Sequence, residues 1–257
     1  MRRPLALRCS QLQRYAQQRD AHAASLFRAK VRARRWKAHQ FLWVDETSKD
    51  MRALQRTYGY ALRGQNPIDN GGLRPRGERV SALCSFDLHG FVAWEYTNGT
   101  FNRDGFLSAA QKVIVRRQRN PASLDSLSCS RALTHVPRTL TASMAQLDQI
   151  NPYPQSRSIV VLDNASIHKS LEFVQAVNAR GAIVLFTPPY CWDLTPLDNG
   201  AFGSVKKWLM DRSGIIDALG WGPRQALDAA FKRAVNLTGA QHCVHNCNNH
   251  GMVYEFV

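Results

Sequence analysis

The sequence predicts an α/β domain: a mixed, five-stranded sheet with flanking helices. Three observations carry this. Residues 79–88 and 91–97 are β-rich runs flanking His89-Gly90, the pattern of an antiparallel hairpin. Residues 158–162 and 182–186 are near-continuous apolar runs, as expected of strands buried on both faces. A helical stretch, 166–179, lies between them, as a crossover joining parallel strands requires.

The elements follow in order. Residues 10–38 are rich in Gln, Arg and Ala and contain no Gly or Pro, so they predict a helix. Residues 41–44 are a short apolar strand followed by Asp45-Glu46. After the hairpin, Phe106, Leu107, Ala110, Val113 and Ile114 give 103–117 a helical period. The strand at 158–162 runs into Asp163, and the next helix is closed by Arg180-Gly181. Pro188-Pro189 breaks the chain after strand 182–186. A helix over 196–210 then opens on Pro196, which suits a first helical position. A last helix, 223–237, precedes a tail rich in His, Cys and Asn. Residues 65–77, rich in Gly, Pro and Asn, predict a loop. Residues 119–149 have little periodicity and read as an irregular insertion, longer than compact domains usually carry. The expected organisation is a basic helical segment, 1–40, ahead of one domain, 41–257.

Composition narrows the function. A chain of 257 residues with 44% hydrophobic residues can bury a full core and is not a disordered tail. No run approaches the roughly 18 apolar residues of a membrane span, and the first residues are too polar for a secretion signal. Six scattered cysteines, with Cys243 and Cys247 the one close pair, predict reduced thiols inside a cell. The net charge is +15. Residues 1–40 hold 11 Lys and Arg against one acid, Asp20. A basic lobe on a nearly balanced body suits a polyanion, above all nucleic acid.

The acids give the chemistry. Phe41–Val44 and Ile159–Leu162 are matched apolar strands, one followed by Asp45 and the other by Asp163. Adjacent strands of this kind bring the two carboxylates together at the sheet edge where α/β sites form. Their repulsion would be relieved by a divalent cation, and an oxygen-only set favours Mg²⁺ or Mn²⁺. A third acid comes from Asp193 or Asp198. Thr195-x-x-Asp198 is also a capping-box pattern, and Asp193 also suits a turn, so the residues alone leave both open.

Four blocks then carry a family likeness. They are VDETSK at 44–49, YGYALRGQ at 58–65, NPYP at 151–154 running into VLDNASIH at 161–168, and PPY at 188–190 followed by Asp193 and TPLD at 195–198. In this order they resemble the catalytic domain of mariner-type transposases, members of the DDE superfamily endonucleases, over about residues 41–118 and 151–257. The resemblance implies a ribonuclease-H-like fold and a triad at Asp45, Asp163 and Asp198 holding two Mg²⁺ ions, with Mn²⁺ as a substitute. Thirty-four residues separate Asp163 from Asp198, the spacing of the mariner-like DDD subgroup. The implied activity is metal-dependent DNA cleavage and strand transfer. The implied partners are transposon-end and target DNA, a homodimer is compatible with the family, and the expected compartment is the nucleus. The second reading is a transposase-derived protein that binds DNA or a partner without catalysis.

Other residues follow from their place in these blocks. Glu46, Asn164 and His168 flank the acids and are candidates to support them or to meet phosphate. Lys169, Lys206 and Lys207 are candidates for DNA beside the acids, and Arg34 and Arg35 for DNA on the basic helix. His242, Cys243, His245, Cys247 and His250 are zinc-type ligands, but at spacings that do not match the usual zinc layouts. Relatives carry two helix-turn-helix units before the catalytic domain. The 40 residues here are too few for them, so sequence-specific end recognition is not expected from this chain.

Overall fold

The computed structural model describes residues 16–50, 52, 59–68, 77, 79–115, 150–249, 251–252 and 254–256. Residues 119–149, read as an insertion, and most of the 65–77 loop lie outside the described residues. Five strands form one sheet: β1 (Phe41–Lys49), β2 (Val80–Asp87), β3 (Gly90–Asn98), β4 (Ile159–Leu162) and β5 (Ile183–Phe186), in the order β3-β2-β1-β4-β5. The hairpin pairs antiparallel with β1, whereas β4 and β5 run parallel to it. The mixed sheet is as the sequence predicts.

Alternation along the strands divides the core. Phe41 and Trp43 face one layer, together with Val161 of β4. Leu42 and Val44 face the other, together with Val160 and Leu162. The second layer is covered by α2 (Arg103–Val115) and α3 (Leu171–Asn178). On the first face lie α1 (Ala21–Arg34), α4 (Phe202–Asp211), α5 (Ser213–Ala218), α6 (Pro223–Arg233) and α7 (Leu237–Asn249). Trp36, Phe41, Trp43 and Tyr254 form an aromatic cluster there, with ring centroids 4.8–5.9 Å apart. Each such pair is worth about 0.5–1.5 kcal/mol beyond its buried area.

Several boundaries differ from the sequence expectation. The first helix begins at Ala21, because Asp20 caps it by accepting bonds from the backbone of His22 and Ala23. Ala24, Phe27 and Val31 anchor it in the core, so it packs on the domain. β1 runs past Asp45 to Lys49, since its pairing with β2 continues to Val80. Residues 166–169 form a 3-10 turn ahead of α3. The helix expected over 196–210 is interrupted. Leu197–Ala201 is a wide turn in which Asn199 and Gly200 leave helical geometry, and α4 starts at Phe202. The tail rich in His, Cys and Asn is, over Leu237–Asn249, helix α7.

Candidate active site

The β1–β4 register sets two of the acids side by side. Trp43 pairs with Val161, and Asp45 and Asp163 each stand two residues further on. Both therefore project toward the first face at the same level. Asp198 comes from the wide turn before α4, on that same face. The three carboxylates line one cleft of about 510 Å³, with Asn164, Thr187, Pro188, Pro189 and Tyr190 on its walls.

Their charges act on one another. Burial, then the charge of Asp198, and also that of Asp163, hold Asp45 well above the usual carboxylate range. The Glu46 backbone N–H and the nearby His168 oppose this. Desolvation and the charge of Asp163 raise Asp198, and the Thr195 hydroxyl pulls it back. For Asp163 burial is outweighed by the bond and charge of His168, so it lies below the usual range.

His168 is 3% exposed and sits between two carboxylates. Its Nδ1 meets Asp163 Oδ1, and its Nε2 lies 3.3 Å from Glu46 Oε1. Burial works against its charge, but these two partners raise its pKa to about 9. The ring is therefore an imidazolium at neutral pH.

With this geometry in view, the chain can be set beside known proteins. A family model described as DDE superfamily endonuclease matches residues 40–218, more than half of the chain. The chain belongs to the DDE superfamily endonucleases. Its fold is shared with solved Mos1 mariner transposase structures. A pre-cleavage Mos1 transpososome superposes with a TM-score of 0.57 at 14% identity, covering 96% of this chain and 68% of that one. A Mos1 paired-end complex with Mn gives 0.56 at 15% identity, covering 95% and 64%. A Mos1 strand transfer complex gives 0.56 at 15%, covering 96% and 67%. The chain thus spans about two-thirds of those proteins' length. No curated protein sequence matches it significantly.

In this member of the DDE superfamily endonucleases the three carboxylates are a donor set of the kind that suits magnesium or manganese. It is oxygen-only, Asp45 is raised by Asp198 and Asp163, and Asp198 is raised by Asp163. Among the described residues, no three His, Cys, Asp or Glu side chains converge closely enough to hold one ion by themselves. Residues able to contribute to a shared ion pair are Asp45, Asp163 and Asp198.

The remaining candidates divide. Asn164 lines the cleft, and Glu46 joins the site through His168. Lys206 lies near enough to Lys49 for its charge to lower the Lys49 pKa, after burial. Lys207 pairs with Asp211 in solvent at 2.9 Å, and Lys169 is exposed on the 3-10 turn. Arg34 lies over the Trp36 ring at 5.6 Å, and Arg35 meets Glu255 at 3.6 Å. Neither arginine lines the cleft.

Asp193 is not the third cleft acid. Its side chain is wholly buried, and Oδ2 accepts from Arg19 Nη2 and Arg28 Nη2, both at 2.7 Å. Two cationic donors consume it away from the metal-type acids. Sequence reasoning missed Arg19, Arg28 and Ala16, which also reaches the cleft wall. The signal was present: Ala24, Phe27 and Val31 mark a buried stripe, and Arg28 adjoins it.

Proposed function

We propose that this chain is a transposase-type catalytic domain that cuts DNA and joins the ends by metal-dependent phosphoryl transfer at Asp45, Asp163 and Asp198. The observation that supports this most is the convergence on one cleft of three acids brought from β1, the end of β4 and the turn before α4, where Asp163 raises both Asp45 and Asp198 and Asp198 also raises Asp45. Carboxylates crowded in this way are poised to accept cations, and an oxygen-only set favours Mg²⁺ or Mn²⁺. Bound there as a pair, such ions supply Lewis-acid stabilisation of the attacking and leaving oxygens of an in-line displacement. Asp45, the most buried of the three, anchors the site to the central strand. Asp163 is kept ionised by His168, and that imidazolium is itself fixed by Glu46. Asp198 joins them from a turn that departs from helical geometry. DNA is the substrate, with phosphates met by basic side chains around the cleft and on α1. A homodimer fits this reading, in keeping with the paired-end complex described for Mos1, and the nucleus follows as the compartment from the DNA substrate.

A cleavage assay tests this on terminal-repeat DNA with Mg²⁺, Mn²⁺ or Ca²⁺. Cutting is expected with Mg²⁺ and Mn²⁺ and is expected to fall at least about 100-fold in Asp163→Ala, as for loss of a main charge-stabilising group. Equal cutting by both proteins rejects the triad. DNA binding without cutting in either protein would instead favour the non-catalytic reading.

A further inference from the structure

We infer that Asp193, held by Arg19 and Arg28, is a positioning residue for the Asp198 arm of the site, a role that rests on the carboxylate assignment proposed above. Asp198 needs such help. It sits in a turn where Asn199 and Gly200 are non-helical, so a regular helical ladder does not fix it. Its position has to be imposed by what holds the turn.

The bonds around Asp193 do this. The 3-10 turn Trp192–Leu194 is tied to the chain just beyond Asp198. Asn199 Nδ2 donates to the Asp193 carbonyl at 3.1 Å, and Asn199 N donates to the Thr195 carbonyl at 3.1 Å. Asp198 therefore stands beside the closure of a short loop whose base is Asp193 and Asn199. The base is pinned twice. The Tyr254 hydroxyl donates to the Leu194 carbonyl at 3.0 Å, and the two guanidinium groups grip the Asp193 carboxylate at 2.7 Å each.

A buried ion cluster is a poor choice for stability alone, because apolar packing of similar volume does as well or better. Its distinctive property is directional, charge-assisted geometry. Here that geometry is spent within a few residues of Asp198. The arginines come from far away in sequence, one ahead of α1 and the other on it. Residues 16–34 would thus be part of the catalytic site, with Ala16 on the cleft wall.

The test separates positioning from stability. The triple variant Arg19→Met, Arg28→Met, Asp193→Leu removes all three charges together and leaves neither a charge nor a polar side chain unpaired. Its thermal midpoint is expected to stay near wild type. Mn²⁺ binding by the whole chain, read from loss of the free-ion EPR signal, is expected to weaken about 10–100-fold, as for groups that orient metal ligands. The Mn²⁺ concentration giving half-maximal DNA cleavage should rise with it. Asp163→Ala runs alongside and is expected to lose Mn²⁺ binding. Wild-type Mn²⁺ affinity in the triple variant, with binding lost in Asp163→Ala, overturns the positioning role alone. Wild-type affinity in Asp163→Ala overturns the carboxylate assignment instead. If the triple variant does not fold, Arg28→Lys is measured in the same way, since it keeps the charge and loses the planar fork. Weaker Mn²⁺ binding at an unchanged midpoint supports the role, and unchanged binding overturns it.

Discussion

His168 lies under the sheet edge with its ring 4.5 Å from that of Phe106, and the two carboxylates it joins leave β1 and β4. Glu46 follows Asp45 on a pleated strand and so faces the opposite side of the sheet, where α2 brings Phe106. Proximity of His168 to the acids was legible from the VLDNASIH block. The pairing with Glu46 was not, because a spacing of 122 residues leaves no local pattern. Asp193 and Asp198 make the same point. Sequence offered both as the third acid, and only the fold shows that Asp193 is spent on Arg19 and Arg28. Truncating Asp193 would leave two partly buried guanidinium groups without the carboxylate they share. Asp193→Ala should therefore cost about 3–5 kcal/mol of stability, the usual penalty for breaking a buried pair. Urea denaturation measures this, and a loss below about 1 kcal/mol would mean that the cluster is solvated.

Elements show where pattern reading succeeds and fails. The apolar strands and the hairpin were legible because pleated pairing writes itself as short apolar or β-rich runs. Helix α7 was not, since its Gln, His and Asn content suggests a tail. Yet Ala240, Cys243, Val244 and Cys247 fall at positions i, i+3, i+4 and i+7, and all four are buried. Counting cysteine as apolar would have exposed the helix. This helix backs the Asp198 turn. Asn199 Nδ2 lies 3.6 Å from Cys247 Sγ, and a Cβ at Gly200, where φ is 145°, would stand 3.0 Å from Cys243 Sγ. Gly200→Ala should thus cost about 1–3 kcal/mol in backbone strain, before any steric term, and should lower cleavage because Asp198 is two residues away. Wild-type stability in that variant would show that the turn can relax. The same thiols carry a pH signature. Burial raises Cys243 to about 11 and Cys247 to about 12 from an ordinary 9.0. Between pH 9 and those values the unfolded chain has released protons that the folded chain retains. Stability then falls as pH rises, by up to about 1.4 kcal/mol per pH unit for each thiol. The thermal midpoint should drop from pH 8 to pH 10.5, and the drop should be shallower in Cys243→Ala/Cys247→Ala. An equal drop in both proteins would assign the effect to other groups.

At the scale of the whole molecule, the sequence reading and the structure agree on a mixed five-stranded sheet for a physical reason. A hairpin must pair with itself, and a crossover helix must return its strand parallel, which leaves few ways to place one further strand between them. Charge distribution was also legible, but its setting was not. The described part of the basic segment, residues 16–40, is no free arm, because Ala24, Phe27 and Val31 bury one side of α1 and leave Lys30, Arg32, Arg34 and Arg35 exposed. A rigid helix presenting cations is suited to a phosphate backbone rather than to reading bases. DNA binding should then weaken steeply with salt and depend little on sequence. For duplex DNA, each phosphate contact adds about 0.9 to the slope of log K against log salt. Arg34→Gln/Arg35→Gln should accordingly reduce that slope by up to about 1.8. Arg34 also rests over Trp36 and Arg35 near Glu255, so both variants need a matched thermal midpoint before their binding is compared. If the slope is unchanged at equal stability, α1 does not touch the DNA. The polyanion contact implied by the net charge of +15 would then belong to other basic side chains, Lys169, Lys206 and Lys207 among them, or to residues outside the described set.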